Sequence, residues 1–187
     1  MLTNGEGTAA DHTRAFQHFK LAAKGGVLPA LHNIANAYAA GRGCKQSDHN
    51  AMLYYRASAE AGDPAGAFTL STWLYTGRGT AAGRKVPEEA FTHALAAAHK
   101  GHPAAMFNVG AHLMQGAGVA QDYARAAEWF EKAARVGKIA EASINLANMH
   151  VQGLGVPKDK GRAVEILREY ATHSPACATR LQQLLDK

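Results

Sequence analysis

Residues 105–137 read AMFNVGAHLMQGAGVAQDYARAAEWFEKAARVG, and this stretch decides the fold. It holds two apolar-periodic segments joined by Gly116-Ala117-Gly118, the second closed by Gly137. In the first segment Met106, Val109, Gly110 and Leu113 share the i, i+3, i+4, i+7 spacing of one helix face. The glycine punctuation recurs at Gly5/Gly7, Gly41/Gly43, Gly77/Gly79 and Gly153/Gly155. An alanine follows ten residues after the first glycine at Ala15, Ala51, Ala126 and Ala163, and thirteen after Gly77 at Ala90. The steps between turns are 36, 39 and 37 residues. Helical periodicity inside a repeat of this length predicts an all-α array of stacked helix-turn-helix units, in which each unit packs mainly on its neighbours.

Working outward, residues 28–62, 64–101, 103–137 and 139–173 read as complete repeats of one array spanning 1–187. Residues 5–26 read as half a repeat, a turn followed by a lone second helix that Asp11 caps and Gly25-Gly26 close. Pro29, Pro64 and Pro103 stand where a helix loses nothing by lacking an N–H. Asp122 and Asp159 suit N-caps, and Gly62, Gly101 and Gly137 suit helix ends. Small residues at Ala35, Ser71, Gly110 and Ala147 fall in register, which predicts close helix approach there. Phe19, Tyr55, Phe130 and Leu167 share a register on the second helices, with Ala94 as the small exception. Residues 174–187 start at Ser174-Pro175 and set Leu181, Leu184 and Leu185 against a polar side, as a C-terminal capping helix should.

These residues carry a resemblance. The pattern A-x-x-x-[LIV]-[GAS]-x-x-[YL]-x-x-G-x-G-V, then D-x-x-x-A-x-x-W-[FY]-x-K-A-A, resembles the Sel-one-like repeat, a relative of the tetratricopeptide repeat. It extends over residues 5–173, with departures at Cys44, Ala94, His150 and in the 78–89 loop, which is three residues longer. The resemblance implies an α/α superhelix, a solenoid, that scaffolds protein complexes and has no shared catalytic residues.

Composition narrows the chemistry. An apolar share of 47% excludes bulk disorder, and alanine-rich sequence with six prolines favours helix. The net charge of +5 is spread without a basic run, which argues against a nucleic-acid surface. Cys44 and Cys177 have no matching spacing, so no disulfide framework is expected and a reducing compartment is the default. No stretch nears the ~18 apolar residues of a membrane span, and residues 1–10 show no secretory pattern. Among ten histidines the closest pair, His99 and His102, has no third ligand nearby, so no metal or other cofactor is expected. Arg42 and Lys45 could lower the Cys44 thiol pKa, but no base is specified to activate it.

The expected function is therefore non-enzymatic: a scaffold binding a peptide or protein partner. By analogy with tetratricopeptide proteins the first helices line the binding side, through His32, Asn36, Phe68, Thr72, Tyr75, Phe107, Met114 and Asn148. Amides and aromatics there suit a peptide backbone and its side chains. Phe68 and Phe107 suit packing between helices equally well. Two alternatives stand beside this: a structural subunit buried in a large assembly, and a repeat appendage of a longer enzyme or signalling protein. At the N-terminal edge Phe16 and Phe19 are expected to lack cover, predicting self-association or contact with upstream repeats there.

Overall fold

The computed structural model describes residues 9–186, with side chains from Asp11 onward. Gly5 and Gly7 of the first expected turn lie outside the described residues. Over this range the chain is all-α, as the repeat period requires. The helices are α1 (Ala9–Lys24), α2 (Pro29–Ala40), α3 (Asp48–Glu60), α4 (Pro64–Thr76), α5 (Pro87–His99), α6 (Pro103–Gln115), α7 (Tyr123–Gly137), α8 (Ala140–Gln152), α9 (Lys160–Ala171) and α10 (Pro175–Leu185). Two compact units result, residues 1–97 and 98–187, with the boundary inside α5. In the first, α1 packs on α2, α2 on α3 and α3 on α4, and α2 also touches α4. In the second, α6 to α10 pack each on the next, and α8 also meets α10.

Local sequence places the helix starts. Asp63 accepts hydrogen bonds from the N–H groups of Ala65 and Gly66, both at 3.1 Å. Asp122 caps α7 through Arg125 N at 3.0 Å, and Asp159 caps α9 through Arg162 N at 2.9 Å. Ser47 and Ser174 do the same for α3 and α10. These side-chain acceptors satisfy N–H groups that have no partner inside the helix. Asp11 differs from expectation: α1 already includes Ala9, so Asp11 sits in the first turn.

Among the described residues, every turn between the two helices of a repeat is closed by one recurring backbone bond. Ser47, Val86, Asp122 and Asp159 donate their N–H to the carbonyls of Tyr38, Leu74, Leu113 and His150, each at 2.9 Å. Each acceptor stands three residues before the glycine that ends its helix. The second glycine of the turn has a separate reason. Gly43 and Gly155 are left-handed, with φ of 73° and 68°. A side chain at Gly43 would meet the His12 carbonyl oxygen at 2.1 Å, and one at Gly155 the Tyr123 carbonyl carbon at 2.2 Å. The turn thus lies directly on the first turn of the preceding second helix, and only glycine permits that approach. Gly137 ends its helix as expected, but a close approach gives it a further reason. It is the last residue of α7, Lys138 takes the left-handed position, and a Cβ at Gly137 would lie 2.4 Å from Pro103 Cβ.

The in-register small residues do what their spacing predicts. Ala35, Ser71, Gly110 and Ala147 are all buried. A Cβ at Gly110 would stand 2.8 Å from two ring carbons of Phe130, which is itself fully buried. In residues 1–97 the core gathers Tyr55, Leu70, Trp73 and Leu74, with Phe16, Ile34 and Ala37 as a second cluster. In residues 98–187 Val109, Leu113, Phe130 and Leu167 are fully buried.

Phe16 corrects the expectation of an uncovered edge. It is 6% exposed, packed on Ile34 and Ala37 and edge-on to Tyr38 at 5.3 Å. Its position, one residue after the register alanine Ala15, corresponds to Met52 after Ala51, which packs on α4. Residues here face the first helix of the following repeat, so α2 covers Phe16. Phe19, in register with Tyr55, Phe130 and Leu167, packs against the same cluster as Phe16 but is half-buried where those three are buried. The two cysteines are free thiols.

Candidate partner-binding face

Tyr55 of α3 organises the face of α2. Its hydroxyl donates to the Asn36 side-chain oxygen at 2.6 Å. Its ring lies 5.5 Å from the His32 imidazole and meets the Trp73 ring edge-on at 5.1 Å. Two of the expected residues, His32 and Asn36, are therefore brought onto one buried aromatic. His32 is half-buried, with Nδ1 4.0 Å from Asp63 Oδ2. Burial pushes its pKa below the ordinary histidine value, and the Asp63 carboxylate offsets part of that. Asp63 is itself committed: it caps α4 and accepts the Ser58 hydroxyl at 2.7 Å.

On α4 Phe68 is half-buried, Thr72 is exposed and Tyr75 is 37% exposed. The Thr72 hydroxyl donates to its own helix, at Phe68 O, 3.2 Å away. It can accept a bond from a partner but has no proton left to give. In residues 98–187 Phe107 and Met114 are half-buried on α6, and the Phe107 ring lies 5.7 Å from Phe130. Asn148 of α8 is engaged: its side-chain oxygen accepts from Arg180 Nε at 2.9 Å and Nη2 at 2.6 Å. The helix expected as a cap thus reaches onto the candidate face. Tyr55 and Arg180 were not anticipated from sequence. The Tyr55 register with Phe130 and Leu167 marked it as core, and only its hydroxyl distinguishes it.

Cys44 and the histidine pair serve other ends. Cys44 is half-buried beside the Phe16 cluster, and burial raises its thiol pKa instead of the flanking cations lowering it. His102 caps α6, its Nδ1 accepting from Ala105 N at 3.2 Å, while His99 meets the Trp129 ring edge-on at 5.4 Å. Among the described residues no group of three or more histidine, cysteine, aspartate or glutamate side chains is placed to hold a metal ion. No described helix is long and apolar enough to cross a membrane.

The family model of the Sel1 repeat matches the chain five times, at residues 1–27, 28–63, 64–102, 103–138 and 140–171. The chain belongs to the Sel1 repeat family. Proteins built of Sel1 repeats generally mediate protein–protein interactions and are typically non-catalytic scaffolds. Among solved structures the chain is similar to a protective antigen of uropathogenic Escherichia coli that displays an SLR fold. Identity is 28% over 91% of this chain and 36% of that one, with a TM-score of 0.83. It is also similar to a Sel1 repeat protein from Oxalobacter formigenes, at 28% identity over 87% of this chain and 65% of that one, TM-score 0.79. The chain thus spans 36% of the length of the first and 65% of the second. No curated protein matches it.

Proposed function

We propose that this Sel1 repeat chain is a non-enzymatic scaffold that binds a peptide or protein segment along its first helices. The residues that carry this are His32, Asn36, Phe68, Thr72 and Tyr75 in residues 1–97, and Phe107, Met114 and Asn148 in residues 98–187. The observation that carries the reading is the bond from Tyr55 to Asn36. It fixes the carboxamide of an exposed asparagine by its oxygen, leaving the amide N–H groups unpartnered among the described residues. A donor held this way presents itself to a backbone carbonyl of a bound segment with little ordering cost. Tyr75 supplies apolar area on the adjacent first helix, α4. In the second unit Arg180 holds Asn148, so a segment binding there competes with α10 for the same oxygen.

The test is position-resolved photo-crosslinking in the native source, with the photoreactive residue placed at Asn33, Thr72 or Tyr75. Cross-links to one partner, with binding weakened by Asn36→Ala and by Tyr55→Phe, are expected. Tyr55→Phe is the more telling variant, because it removes no partner contact and only releases the asparagine. A partner bound equally well by both variants would overturn the reading.

A further inference from the structure

The second-helix side of residues 1–97 departs from its own repeat in two ways, and both meet at one groove. The first departure is Leu53. It stands two residues after the register alanine Ala51, a place held by Gln17 in α1, Thr92 in α5, Glu128 in α7 and Glu165 in α9. All five are exposed, and only this one is apolar, 54% exposed. The second departure is the longer loop after α4. Its extra residues form a short 3-10 turn, Ala81–Gly83, that stands beside α3.

Together they frame an open groove of about 570 Å³. Met52, Leu74 and Val86 supply apolar lining, with Leu53 and His49 from α3 and Thr80 and Ala81 from the loop. At one end Arg56 is ion-paired with Glu89. The loop is pinned. Arg78 makes a two-pronged pair with Asp48, at 3.0 and 2.9 Å, and its guanidinium lies 4.1 Å above the Trp73 ring. Thr80 Oγ1 lies 2.7 Å from Gly77 O and 2.8 Å from Arg84 O, and Val86 N closes on Leu74 O. A wall held at both ends and in the middle needs little ordering when something enters.

Charge indicates what enters. Arg78 is neutralised by Asp48, and Glu89 by Arg56. Arg84 and Lys85, on the loop between the lining residues Ala81 and Val86, are exposed, and neither has an ion-pair partner among the described residues. Glu88 is the one unpaired carboxylate beside them in residues 78–89. An apolar slot whose loop wall carries two unpaired cations in its sequence suits an apolar anchor flanked by acid, with those cations setting selectivity. We propose that this groove docks a segment of a partner protein that presents a leucine-type anchor between acidic residues. The surface is separate from the first-helix face: Leu74 is its only residue from a first helix, and it is fully buried.

The test uses the full chain and three labelled synthetic peptides, read by fluorescence anisotropy. One carries Leu-x-x-Leu between triplets of aspartate, the second has alanines for the leucines, and the third has lysine flanks. The acid-flanked leucine peptide is expected to bind, and both controls to bind about ten-fold or more weakly. Leu53→Glu, at a position where α7 and α9 carry glutamate, and the pair Arg84→Glu/Lys85→Glu should each weaken binding by about ten-fold. Asn36→Ala should not, which separates this groove from the first-helix face. Circular dichroism of each variant checks that helicity is retained. Equal binding of all three peptides, or binding that Leu53→Glu leaves intact, would overturn the proposal. So would sedimentation showing a wild-type dimer that Leu53→Glu dissociates, because the occupant would then be a second copy.

Discussion

A side chain added at Gly110 tests the packing between the two helices of a repeat most directly. In Gly110→Ala the new Cβ would lie 2.8 Å from Cδ1 and Cε1 of Phe130 and 3.2 Å from Cγ. Carbon atoms settle at roughly 3.5–4.0 Å, so the ring would have to retreat by about 0.7 Å. Phe130 is fully buried, so a retreating ring must displace its packed neighbours. Overpacking of this kind costs about 1–3 kcal/mol. Alanine in a helix interior gains back about 1 kcal/mol over glycine. The net for Gly110→Ala is therefore a loss of about 0–2 kcal/mol, where propensity alone would give a gain. Gly110→Leu has no further propensity advantage and adds three carbons to the same gap, so its loss is the larger, on the order of 1–3 kcal/mol net. For a chain of this size each kcal/mol shifts Tm by roughly 2–4 °C. Thermal and urea unfolding followed by circular dichroism at 222 nm measure both. Adding Phe130→Leu to Gly110→Ala should give a smaller summed loss than the two single changes, because the ring that clashes is gone. A Gly110→Ala protein about 1 kcal/mol more stable than wild type would refute the helix-face assignment.

Other expectations follow from the caps, the turns and two half-buried histidines. Asp159→Ala removes the acceptor for Arg162 N and should cost about 1 kcal/mol, read as a fall in Tm. Gly155→Ala should cost more than ~2 kcal/mol, since strain at positive φ adds to a clash with backbone. Gly26→Ala, equally left-handed but with nothing within 4 Å, should cost only the ~1 kcal/mol conformational part, and equal losses at the two sites would sink the argument from close approach. Burial lowers the pKa of both His32 and His93, so below about pH 6.5 the unfolded chain takes up protons that the folded chain resists. Stability should be full above that pH and fall as the pH drops through the depressed folded values, and His32→Gln should flatten the dependence of the urea midpoint.

What could be read in advance was whatever is local. Asp122, Asp159 and Pro175 act within a turn of their own position, so the chain shows them without its neighbours. Gly110 was legible because its register repeats, and the register states what faces it. What depended on a distant element was missed. Phe16 and Phe19 are three residues apart on one helix and pack on the same cluster, yet Phe16 is buried and Phe19 half-buried, a difference the helix spacing alone does not announce. Gly137 ends α7 as it looked, but the close approach of Pro103, far along the chain, could not be read. Cys44 lies between cations in sequence, but Arg42 and Lys45 are exposed and burial decides its pKa. Asn148 is tied by Arg180, 32 residues on, a pairing that no periodicity announces.

The long loop after α4 separates what holds the fold from what an individual repeat can add. Between Leu74 and Val86 the chain takes twelve steps where the other repeats take nine, and the closing bond still measures 2.9 Å. The repeat therefore needs the bond and the following register alanine, Ala90, which is fully buried, and not any particular path between them. Deleting Ala81–Gly83 restores the nine-residue step. By loop-closure entropy, shortening from twelve to nine changes stability by only about 0.3 kcal/mol. The lost Thr80–Arg84 bond costs on the order of 1 kcal/mol. The deletion protein should thus keep its helical spectrum and unfold within a few degrees of wild type. It should nevertheless lose the acid-flanked leucine peptide, because the groove loses Ala81 from its wall and the cations that follow it in the loop are shifted. A deletion protein that fails to fold would place the loop among the supports of the repeat. One that folds and still binds the peptide would show that Leu53 and Met52 suffice without the wall.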